Sequence, residues 1–152
     1  MKVSYVTAAL AAIAVGGAVW VAQAAPADDV KARQAVMKEI GSNVGAISKM
    51  LKGEAPYDAA VAQKSADAIA AAAKKVPEAF KPNTGDAGPT EAKAIIWSNW
   101  QGFTDKAKAL DMEAAKLADV AKKNDQAALG EQMKALGGAC GACHRDFREK
   151  KS

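Results

Sequence analysis

The sequence predicts an all-α fold, an antiparallel up-down-up-down four-helix bundle, on three observations. Apolar residues recur at alternating steps of three and four along four separate segments, the signature of helices packed by one face. No run shows the period of two that a strand requires. Half of the 152 residues are apolar, and alanine dominates that class, which favours long helices with space between them. Two tight connections and one longer one join the segments, so neighbours run antiparallel around a single core.

The first helix is expected to begin near Asp28 or Asp29, acidic residues suited to an N-terminus, and to run to about Lys52 with Gly53 as its stop. Its inward stripe is Val30, Arg33, Met37, Ile40, Val44, Ile47 and Leu51. An arginine on that seam is the anomaly. After the turn Glu54-Ala55-Pro56-Tyr57-Asp58, a second helix runs from about Asp58 to Val76 with the stripe Ala62, Ala66, Ile69, Ala73 and Val76, small residues that permit close packing. From Pro77 to Pro89 the chain is rich in Pro, Gly, Asn and Asp and includes Phe80, a long connection of the kind that tends to be functional.

The third helix is expected to start at a Thr90 cap, although Lys93 stands where a capping box has its acidic partner. Its stripe is Ile96, Trp100, Phe103, Ala107, Leu110, Ala114, Leu117 and Ala121, with Trp97 beside the first members and an end near Lys123. Asn124 or Asp125 then caps a fourth helix with the stripe Leu129, Met133, Leu136, Cys140, Cys143 and Phe147. Its basic end, Arg145, Arg148, Lys150 and Lys151, suits a helix C-terminus.

The first 24 residues stand apart. Met1 to Tyr5 carries one lysine, Val6 to Val21 is an apolar and small-residue run, and Ala22-Gln23-Ala24 is an A-x-A site. That pattern is a cleaved secretory signal peptide over residues 1–24. A transmembrane anchor is the alternative, since the run is near the lower length limit for spanning. Small residues and the adjoining cleavage site favour removal after Ala24. Residues 25–152 then form one domain, without a membrane anchor. The net charge of +4 falls to +3 when Lys2 leaves with the signal, a balance that speaks against nucleic-acid and membrane partners.

Near the C-terminus lies Cys140-Gly141-Ala142-Cys143-His144, a C-x-x-C-H, the attachment signature of c-type haem. Two thiols one helical turn apart can add to the two vinyl groups of one porphyrin, and the histidine after the second is held under the iron. A thioredoxin-like pair would need a strand-helix-strand context. A structural zinc would need four N or S ligands, and these are the only cysteines and the only histidine in the chain. A chance match in an Ala/Gly-rich helix end is the remaining reading. Export agrees with haem attachment, and both cysteines fall on the core seam. One covalently attached haem c is the expected cofactor.

In an up-down-up-down bundle the end of the fourth helix, the start of the first and the connection between the second and third meet at one end, which is where the haem is expected. Met133 shares a helix with His144, eleven residues and roughly 16 Å away along the axis, and cannot reach the opposite haem face. Met50 lies at the far end and Met112 falls off its helix stripe, which leaves Met37, either as packing against the distal face or as an iron ligand. Trp97, Trp100 and Phe80 belong to the same end and are expected to wall the crevice, ordinary core packing being the competing account.

The sequence resembles the class II c-type cytochromes, the cytochrome c′ family with its low-spin methionine-ligated relatives. The likeness rests on Arg33 to Met37, Lys52 to Asp58, Ile96-Trp97 and, most specifically, the C-x-x-C-H-x-x-F-R from Cys140 to Arg148. It implies thioether attachment at Cys140 and Cys143, proximal ligation by His144, and a place for Arg33 near the haem propionates. It also implies redox partner proteins, a homodimer through the first two helices, or a small gas ligand. Class I cytochromes differ, because their C-x-x-C-H sits near the N-terminus with the ligand methionine after it. The expected function is that of a periplasmic mono-haem one-electron carrier and not an enzyme. A five-coordinate cytochrome c′ that binds gases such as nitric oxide is the alternative. A peroxidase would need distal acid/base groups, and the first-helix stripe offers only Arg33.

Overall fold

The computed structural model describes residues 25–84 and 88–149. The signal segment read over residues 1–24 lies outside them. The described chain forms helices α1 (Pro26–Leu51), α2 (Ala59–Phe80), α3 (Ile95–Ser98), α4 (Trp100–Ala121) and α5 (Gln126–Phe147). The four long ones make the antiparallel bundle. Among the described residues no strand forms, only an isolated antiparallel bridge between Ala92 and Arg148.

Local chemistry sets most of the boundaries. Pro26 opens α1, where a missing N–H costs nothing, and Asp28 and Asp29 occupy its first turn. Gly53, at φ +74°, ends it: its N–H donates to the Met50 carbonyl, and that of Glu54 to the Lys49 carbonyl. The Asp58 carboxylate accepts from the N–H groups of Ala60 and Val61 to cap α2, and Asp125 caps α5 through Ala128 N–H.

Two boundaries differ from the sequence reading. Helix α2 continues through Pro77 to Phe80 instead of stopping at Val76, because its last turn is held from outside by Arg33. The expected third helix starting at Thr90 is two helices. Thr90 Oγ1 accepts from Ala92 N–H in a tight turn, residues 90–93 run as a non-helical strap, α3 is one short turn, and Asn99 breaks the path and caps α4 through Gly102 N–H.

The core is apolar and alanine-rich. Ala62, Ala66, Ala72, Ala73 and Ala114 are fully buried, with Ile47, Ile69, Leu117, Leu129 and Leu136 between them. Small side chains let α1 pack along α2, α2 along α4 and α4 along α5, whereas α1 and α5 barely touch. The fourth edge of the bundle is therefore open.

Candidate haem site

The open edge is a cavity of about 760 Å³, within the size range of pockets that bury cofactor-sized ligands. Helix α5 presents Cys140, Cys143 and His144 to it on a single turn, and α1 supplies Arg33, Met37, Ile40 and Val44 from the other side. Val76, Phe80, Phe103 and Leu110 form an apolar back wall. The cavity thus brings together the cysteines, the histidine, Arg33, Met37 and Phe80.

The two thiols are free and half-buried. Burial pushes both above the ordinary thiol range, and Cys140 adds to the effect on Cys143, so both stay protonated near neutrality. His144 stands at the cavity mouth with part of its ring in water. The packed wall behind it strips enough solvent to lower its pKa, the charge of Arg148 lowers it further, and Glu91 partly opposes. Neutral imidazole is the form a metal requires.

Arg33 explains its own anomaly. It is 3% exposed and donates from Nε to the Ala79 carbonyl at 3.0 Å, from Nη1 to Thr84 Oγ1 at 3.0 Å, and from Nη2 to the Pro82 carbonyl. Its guanidinium lies 5.4 Å from the Phe80 ring centroid and 5.0 Å from that of Trp97, a double cation–π arrangement. Burial lowers its pKa and Asp29 opposes, yet a guanidinium stays charged. None of its hydrogen-bond partners is a carboxylate, so the cavity wall holds a buried cation with room for an anionic group beside it.

Trp97 and Trp100 lie behind the wall instead of lining it. The Trp97 indole N–H is turned to the Phe80 carbonyl at 2.9 Å, and Trp100 stacks on Phe103 at 5.4 Å. Met50 is buried at the far end, where its sulfur accepts from Asp58 N–H. Met112 is 52% exposed, and Met133 packs on the core without reaching the cavity. Met37 is the one methionine among the lining residues.

Sequence reasoning missed Thr84, Gln34, Lys106 and the strap. Gln34 donates to the Pro89 carbonyl at 2.9 Å. Glu91 pairs with Arg148 at 2.5 Å, and Lys106 with Asp146 at 3.6 Å. The clustered basic residues after the C-x-x-C-H were a signal that partners must come from elsewhere, but nothing local named them.

The donor set fits a covalently held porphyrin: two thiols and a neutral imidazole on one helical turn, an apolar back wall, and a buried cation placed for acidic substituents. Fold and site together define a c-type haem protein built on a four-helix bundle. The chain belongs to the cytochrome c′ family, class II c-type cytochromes, whose profile matches residues 28–148. Members of that family bind one covalently attached haem c. The chain is 42% identical over 120 residues to cytochrome c-556 of Agrobacterium tumefaciens (strain apple 185), covering 79% of this chain and 94% of the relative. Its fold is similar to that of cytochrome c prime from Shewanella frigidimarina, with a TM-score of 0.77 and 38% identity, over 82% of this chain and 97% of that one. It is also similar to a variant of cytochrome c prime from Alcaligenes xylosoxidans in its nitric oxide complex, with a TM-score of 0.76 and 31% identity, over 84% and 98%.

Proposed function

We propose that this protein is a periplasmic one-electron carrier, with its haem tethered through Cys140 and Cys143 and its iron held between His144 and Met37. The observation that carries the reading is that, among the described residues, Met37 alone of the methionines lines the cavity, on the helix facing the one that bears His144. Arg33 would hold the haem's acidic edge, Phe80 its face, and Trp97 would fix Arg33 and Phe80 from behind. A six-coordinate, low-spin iron changes its bonding little between ferric and ferrous states, and methionine raises its potential. When bound, the haem supplies the electron; the protein supplies ligands, a dry wall and a fixed charge.

The test is spectroscopic. The ferric holoprotein is expected to be low-spin, and Met37→Ala to be high-spin. A high-spin wild type whose ferrous form takes up carbon monoxide rapidly would refute ligation by Met37.

The second reading, a five-coordinate gas binder, draws support from the apolar lining formed by Ile40, Val44, Phe103 and Leu110 and from the nitric oxide complex of the Alcaligenes relative. Rapid carbon monoxide uptake selects it. Redox proteins are the partners of the first reading, and a second copy of the chain is a partner in both. Val61, 45% exposed, borders a groove with Gly41, Ala46, Met50 and Ala55 on α1 and the turn after it. No helix among the described residues is long and apolar enough to cross a membrane.

A further inference from the structure

Helix α5 carries the whole C-x-x-C-H in its last two turns and ends at Phe147 without a glycine, Arg148 leaving in an extended conformation at φ −115° and ψ 130°. A helix end leaves its last four carbonyls without partners inside the helix, here those of His144, Arg145, Asp146 and Phe147. The first accepts from Arg148 N–H at 3.0 Å. Lys93 satisfies the other three. Its backbone N–H donates to the Phe147 carbonyl at 3.0 Å, and its ammonium donates to the carbonyls of Arg145 and Asp146 at 3.2 Å each.

Lys93 lies on the strap between Pro89 and Ala94, which runs antiparallel to the end of α5: Ala92 bridges to Arg148, and Glu149 N–H donates to the Glu91 carbonyl at 2.7 Å. Lys93 O in turn accepts from Ile96 N–H and starts α3. A cation at these carbonyls also suits the negative end of the helix. This accounts for lysine at a position where a capping box would have placed glutamate.

We propose that Lys93 is a positioning residue for His144: its ammonium fastens the final turn of α5, so that the imidazole one residue before the capped carbonyls keeps a single orientation. The proposal rests on the reading of His144 as an iron ligand. Lys93 touches neither the thiols nor the imidazole among its hydrogen-bond partners and acts only through the backbone of Arg145 and Asp146.

The experiment compares holoprotein of wild type, Lys93→Met, Lys93→Arg and, as a control on α5 itself, Lys134→Met. Lys134 is exposed and paired only with Glu131 three residues away. Two readouts are taken: amide hydrogen exchange of residues 145–149, and the iron–histidine stretching band in the resonance Raman spectrum just after carbon monoxide photolysis. Photolysis yields a five-coordinate haem whether or not Met37 binds iron. Lys93→Met is expected to speed exchange about tenfold, the effect of losing one or two partly exposed charge-assisted hydrogen bonds, and to shift or broaden the Raman band. Lys93→Arg should restore both, and Lys134→Met should change neither. Faster exchange with an unmoved band would overturn the positioning role and leave a plain cap. If Lys93→Met gives no folded protein, Lys93→Gln keeps one donor; a band shifted or broadened from wild type supports the proposal, and a wild-type band refutes it. A wild type with no iron–histidine band would instead refute the reading of His144 as an iron ligand.

Discussion

Replacing Arg33 by methionine keeps most of the side-chain volume while removing a buried cation and three hydrogen bonds. The acceptors left behind are the carbonyls of Ala79 and Pro82 and the hydroxyl of Thr84, which is 9% exposed. Each buried acceptor without a partner costs about 1–3 kcal/mol, and part-buried carbonyls recover some of that from water. The two cation–π contacts with Phe80 and Trp97 are worth about 0.5–1 kcal/mol each, and a methionine sulfur against the same rings returns a share of it. Removing the guanidinium also relieves its own desolvation, which sets the net loss near 3 kcal/mol. For a domain of this length that lowers the melting temperature by roughly 10 °C. The assay is thermal unfolding of the holoprotein followed by far-ultraviolet circular dichroism, with Thr84→Val as a partial variant expected to lose about 1 kcal/mol. A midpoint for Arg33→Met within about 2 °C of wild type would refute the claim that Arg33 fastens the α2 end and the 81–84 segment to α1.

Phe103 is 2% exposed and sits between Phe80, Trp100 and Phe147 at ring distances of 5.1, 5.4 and 5.5 Å; Phe103→Ala is expected to cost about 3–5 kcal/mol in urea unfolding. Full stability in that variant would mean the cluster is not the keystone of the back wall. His144→Ala should leave a haem that is still tethered but has lost the native spectrum, and an unchanged spectrum would show the wrong ligand has been chosen. Mass spectrometry of exported protein should find a chain beginning at Ala25 plus one haem; a haem-free mature mass, or haem released by acid acetone, would sink covalent attachment.

What the sequence made legible is what local periodicity controls. The stripes of α2 and α4 are buried as read, apart from half-buried Trp100, because one face of a 3.6-residue period must meet the core. Arg33 was visible as a misfit on its seam, yet its acceptors lie 46 to 51 residues away in sequence, and no local pattern encodes such a pairing. Thr90 misled for a related reason. A cap residue satisfies backbone donors wherever the chain turns, and here it closes a turn two residues long while Asn99 does the capping of α4. Pro77 misled in the opposite sense, since tertiary bonds to the Ala79 and Pro82 carbonyls outweigh its breaking tendency.

The two helices that flank the crevice are each fastened at the crevice end by one long cation reaching backbone carbonyls: Arg33 of α1 to the end of α2, and Lys93 of the strap to the end of α5. The arrangement follows from the open edge. With α1 and α5 hardly in contact, neither helix end can be held by the other, and the space between them has to stay clear for a porphyrin. The two fastenings differ in what stands behind them, however. Arg33 is buried and ties α1 to α2, whose shared face is part of the core, so its loss lowers global stability. Lys93 is partly exposed and ties down only the last turn of a helix whose body α4 already holds, so its loss opens that turn locally while the rest stays folded. Hence the global melting temperature should fall for Arg33→Met and stay near wild type for Lys93→Met, while exchange at residues 145–149 should respond to Lys93→Met. The opposite assignment of effects would mean that the bundle transmits load across the crevice, which an open edge cannot do.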